Sequence, residues 1–133
     1  MSSNIILEGI KDATKTINSK PFYLIDHATD QLCYLDEIIK KMGCGCVALV
    51  NETYSNILML EFETILLTKA IKLNHSEIIL NDCYLEIIKS NCDDLLEKIK
   101  IIREMQENII SELGQQDIHR IFNNDPDINL GVF

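Results

Sequence analysis

Between Ser76 and Leu113 the chain holds one helical register for more than four heptads. Asn81, Leu85, Ile88, Cys92, Leu95, Ile99, Ile102, Gln106, Ile109 and Leu113 follow one another in alternating steps of four and three. That is the spacing at which one edge of a helix faces other helices. Any fold open to this chain has to house a helix of that length, about 55 Å at 1.5 Å per residue.

The segments before it supply shorter partners. Ile6, Ile10, Ala13 and Ile17 repeat at helical spacing, and Asn18, Ser19, Lys20 and Pro21 end that first helix. Asp26 is placed to cap a second helix in which Ala28, Leu32, Leu35, Ile39 and Met42 line one face and Gly43 supplies the stop. A third runs from Asn51 to Leu73 with an unusually wide apolar arc. Asn74 and His75 then make a tight connection, with Ser76 as the next cap. Gly114 ends the long helix, and a short amphipathic piece follows from Asp117 to Phe122.

The expected fold is therefore all-α: an antiparallel bundle of four main helices, with a long fourth helix and a short C-terminal one, forming a single helical domain over residues 1–133. The alternative is an α+β fold with small strands at 22–25, 46–50 and 128–133. The residue before Pro21 disfavours helix, and Phe22 to Ile25 is an aromatic and apolar run. With 133 residues, the chain is long enough to bury roughly two thirds of its unfolded surface without a metal or disulfide.

Charge narrows the partners. The formal net charge of -9, with twelve scattered Lys and Arg, opposes a phosphate backbone, so nucleic acid is not expected. The most apolar run, 57–73, contains Glu61, Glu63, Lys69 and Lys72 and is too short to span a bilayer. Five cysteines without a basic-then-apolar leader point to a reducing, cytoplasmic setting.

Three chemistries have candidate residues. Cys44 and Cys46 flank a glycine and are the thiols to consider for a soft metal or a redox pair, but neither His27 nor Cys33, Cys83 or Cys92 completes a recognisable ligand set. No acidic residue has a histidine three places on, so the di-metal pattern of helical bundles is missing, and no metal or other cofactor is expected. The segment 125–131 has oxygen ligands at alternate positions like the start of a calcium loop, yet its glycine falls one place late and no twelfth-position glutamate follows.

Within the third helix, Glu61, Thr64, Thr68 and Lys72 fall into one narrow polar stripe, and Glu63 projects among Met59, Leu60, Leu66, Leu67 and Ala70. This reading buries Glu63 and makes it the candidate carboxylate for an enzyme. No catalytic signature accompanies it. The leading expectation is instead a protein that works through protein–protein interaction, as an adaptor, inhibitor or escort, and as a homodimer. Its contact surface would be Leu85, Leu95, Ile99, Ile102, Gln106, Ile109 and Leu113 of the long helix, whose seam outruns the first two helices. With Leu85 at heptad position a, Lys98 and Arg103 fall at g and e, which favours antiparallel over parallel pairing.

Overall fold

The computed structural model describes the backbone of residues 2–122 and the side chains of residues 4–112. Four helices and one 3-10 turn account for nearly all of it: α1 (Ser2–Ser19), α2 (Pro21–Gly43), α3 (Ala48–Leu73), the turn at His75–Glu77, and α4 (Asp82–Phe122). The all-α bundle is the fold, and no strand occurs among the described residues. No helix among them is long and apolar enough to cross a membrane.

Residues 22–25, one of the strand alternatives, lie inside α2. Lys20 alone absorbs the conformational restriction that Pro21 imposes, leaving the helical region at φ -136°, ψ 51°, and Pro21 itself occupies the first turn, where its missing N–H leaves no bond unmade. The second strand alternative, 46–50, runs into the start of α3. The third, 128–133, lies outside the described residues.

The α2 terminus is also displaced from expectation. Gly43 is helical, and the stop is Gly45, at φ +90°. The amide of Cys46 donates to Lys41 O at 3.1 Å and that of Gly45 to Met42 O at 3.0 Å, the paired bonds of a Schellman cap. A left-handed residue is needed at that point, and glycine adopts it without a Cβ clash.

Helix α4 begins at Asp82 rather than Ser76. Asn81 is a cap and not a seam residue: its Oδ1 accepts a hydrogen bond from the Cys83 amide at 2.8 Å. From there the helix is continuous through Asn91 and also through Gly114, so the expected terminal helix at 117–122 is its last part. A glycine inside a helix costs about 1 kcal/mol, too little to end one that is otherwise sustained.

Successive helices reverse direction. On α3 and α4, Thr68 meets Cys92 and Glu61 meets Arg103, an antiparallel pairing. Helix α1 runs alongside α3 in the same sense, with Gly9 at Leu66, Thr14 at Asn74 and Asn18 at the turn beyond. Asn18 makes the join two-sided, because its Nδ2 donates to Glu77 O at 3.0 Å and its Oδ1 accepts from the Ile79 amide at 2.9 Å.

The core has two parts. Ile10, Ala13 and Ile17 of α1 pack on Ala70 and Ile71 of α3 and on Leu85, Ile88 and Cys92 of α4. Farther along, Leu35, Ile38 and Met42 of α2 pack on Val50, Ile57 and Leu60 of α3 and on Leu95, Ile99 and Ile102 of α4. Helices α3 and α4 contribute to both parts, which positions the space between them at the centre of the bundle.

Candidate functional site

The seam residues proposed as a contact surface lie in the chain's own interior. Leu85, Leu95, Ile99, Ile102 and Gln106 are all buried, Ile109 is half-buried against the second core cluster, and the side chain of Leu113 lies outside the described residues. The length argument misjudged what covers the helix: α2 and α3 are 23 and 26 residues long and pack along it. Its flanking charges are likewise used within the chain. Lys98 Nζ pairs with Asp36 of α2 at 2.5 Å, and Arg103 pairs with Glu61 of α3. Hydrogen bonding to Asp36 holds the Lys98 ammonium above the usual lysine range. Gln106 is a buried amide whose Nε2 has no partner among the described residues.

Glu63 is exposed, contrary to the sequence reading. Thr64 and Thr68 of the polar stripe face inward, Lys72 faces out, and Leu58, Met59 and Phe62 of the apolar arc face out as well. Thr64 is 1% exposed, and its hydroxyl donates to Leu60 O at 2.7 Å; Thr53 and Thr68 are bonded in the same way to the carbonyls four residues back. Once the hydroxyl is satisfied by its own helix, the methyl is what the neighbouring helix meets.

What the structure does bring together is a cavity of about 400 Å³ between the four helices, into which Glu63, His27 and Cys92 all contribute. Its floor is apolar, from Leu24 and Ala28 of α2, Leu66 and Leu67 of α3, and Ile88 and Leu95 of α4. Its mouth carries Asp12 of α1, Tyr23, His27 and Gln31 of α2, and Glu63. His27 is held twice, by a 3.2 Å hydrogen bond between its Nε2 and Gln31 Nε2 and by parallel stacking on Tyr23 at 5.2 Å. Burial, the largest influence, pushes the Cys92 thiol up to about 11, so it remains protonated at neutral pH and is a poor nucleophile. No hydrogen bond joins Glu63, His27 and Cys92 among the described residues, so they do not form a relay of base and nucleophile.

Cys44 and Cys46 are exposed free thiols on the Schellman turn. No group of three or more His, Cys, Asp or Glu that could hold a metal occurs among the described residues, Cys44 and Cys46 included.

A second surface feature was missed in the sequence because the phase of α3 was read the other way round. Tyr54, Leu58 and Phe62 recur every fourth residue on its outward face, 45%, 37% and 47% exposed, with Met59 beside them and Leu73 farther along. The two turns of aromatic and aliphatic side chains in a helix whose inner face carries threonines were the available signal.

Fold and site together define a four-helix bundle with an apolar-floored cavity between its helices and an exposed apolar band on α3. Compared with known protein families, curated proteins and solved structures, the chain matches none of them.

Proposed function

We propose that the protein is a helical interaction module that pairs with a second copy through the outward face of α3. The observation that carries this reading is the exposed band of Tyr54, Leu58, Met59 and Phe62, since contiguous apolar surface of this kind marks interaction sites. The band has opposite charges at its two ends: Glu52 toward the start of the helix, Lys69 and Lys72 toward its end, all exposed. An antiparallel second copy brings each glutamate toward the other copy's lysines, whereas a parallel one sets like charges side by side. A band that is complementary to itself when reversed is what a two-fold contact requires. The repulsion of two chains of charge -9 is screened beyond about 8 Å at physiological salt, so the local charge pattern decides.

Light scattering on the purified protein tests this directly. A dimer is expected, with Leu58→Glu plus Phe62→Glu giving a monomer of unchanged helicity. Glu52→Lys or Lys69→Glu alone weakens the dimer, and the two together restore it. A wild-type monomer at all accessible concentrations, or a dimer indifferent to these substitutions, refutes the reading.

A further inference from the structure

The central cavity is separate from the outer face of α3, and we infer that it is a binding site for a small ligand with an apolar body and a single cationic head, a hydrophobic amine. Three observations converge on that class. The cavity, at about 400 Å³, lies in the size range of small-molecule sites, and its floor is built of aliphatic side chains from α2, α3 and α4. Burying an alkyl or aryl body there removes apolar surface from water on both sides of the contact.

The permanent charges at the mouth have one sign, with His27 beside them. Asp12 and Glu63 face it from α1 and α3, both exposed, and no lysine or arginine lines the cavity at all. A carboxylate or phosphate ligand would meet two like charges with no counterion, while an ammonium group meets two acceptors for charge-assisted hydrogen bonds. Tyr23 and Gln31 add a ring and an amide oxygen at the same opening, and both suit a cation as neighbours.

The walls come from all four helices, so the cavity is set by the bundle and not by a loop. Gly9 is part of that wall: a Cβ there would lie 2.8 Å from Leu66 Cδ1, and its absence lets α1 approach α3 beside the opening. Leu24, Leu67 and Ile88 give the site methyl reporters, since all three line it, whereas Ile79 is exposed outside it.

Calorimetric titration with decylammonium, decanol and decanoate, each below its micelle concentration and at neutral pH, tests the inference. Decylammonium is expected to bind with a stoichiometry of one per chain, about tenfold or more tighter than decanoate, with decanol between. Asp12→Asn with Glu63→Gln, two exposed positions whose replacement leaves the fold intact, is expected to erase the preference for the cation while decanol binding persists. Methyl NMR supplies the location: decylammonium shifts the methyl resonances of Leu24, Leu67 and Ile88, which line the cavity, and leaves those of the exposed Ile79 unchanged. The inference is overturned if decylammonium shows no saturable binding, if decanoate binds as well, if the preference survives the double substitution, or if the Leu24, Leu67 and Ile88 methyl resonances do not shift. None of these outcomes depends on whether the protein dimerises, since Leu58→Ser plus Phe62→Ser removes the outer apolar band without adding charge, lies outside the cavity lining and can be titrated alongside.

Discussion

Cys92 shows how a residue's surroundings set its chemistry. Burial raises its thiol from 9.0 to about 11, outweighing a hydrogen bond with Thr68 that acts in the opposite sense. Below pH 9 both the folded and the unfolded chain hold the proton, and the shift has no effect on stability. Between pH 9 and 11 the unfolded chain releases it and the folded chain does not, so stability falls across that window. A two-unit shift corresponds to roughly 2–3 kcal/mol once the window is passed. The urea midpoint of the wild type should therefore drop more steeply with pH there than that of Cys92→Ala. That variant starts lower, by the cost of a truncated core side chain, and titrates with a flatter slope. Equal slopes would mean that Cys92 does not titrate differently in the two states. The seam position of Cys92 was readable from its spacing, and so was its behaviour as a small apolar group. The environments of Glu63 and Thr64 were not, because a sequence shows which residues share a face but not which face the neighbours choose.

That choice was made at the level of the element, in α3. Its periodicity is weak because threonines line the inside and aliphatic and aromatic residues occupy both sides, so phase could not be read from hydrophobicity alone. Helix α4, with one clean seam, was legible in its buried residues and in its passage through Asn91, which follow from the four-three spacing, and its antiparallel relation to α3 follows from the short connection at Asn74 and His75; its passage through Gly114 was not legible. Its ends were less legible, since Ser76 and Asn81 both offer cap oxygens and only the tertiary bonds from Asn18 fix the intervening turn. The α1–α3 contact was invisible in the sequence, because it depends on Gly9 at a position with no turn to explain it. Valine there places a branched side chain against Leu66 and should destabilise by about 1–3 kcal/mol. Alanine should be close to neutral, its gain in helix propensity of about 1 kcal/mol offsetting the small rotation Leu66 must make. Urea midpoints of the two variants check the ordering; equal effects would show that α1 does not press on α3 at this point.

At the scale of the molecule, the length of α4 first suggested a second chain against its seam, and the structure answers that the seam is the chain's own core. The proposed contact therefore uses other surface, and the outward face of α3 offers apolar side chains at regular helical spacing. The two core clusters share α3 and α4 as common walls, and α2 reaches both, through Leu24 and Ile25 at one end and Leu35 to Met42 at the other. Neither cluster can lose its packing without freeing helices the other depends on, so unfolding should be a single cooperative transition. Ile17, fully buried in one cluster, and Ile102, fully buried in the other, provide the test. Each alanine substitution should cost about 2–5 kcal/mol. The costs should add to within about 0.5 kcal/mol, since the residues belong to different clusters. In both variants the loss of helical circular dichroism should coincide with the loss of the tyrosine near-ultraviolet signal. If Ile17→Ala instead produces an early step in which part of the helicity is lost while the rest melts at the wild-type midpoint, the α1 cluster is an independent unit, and the cavity lies at a joint between two separately folding halves.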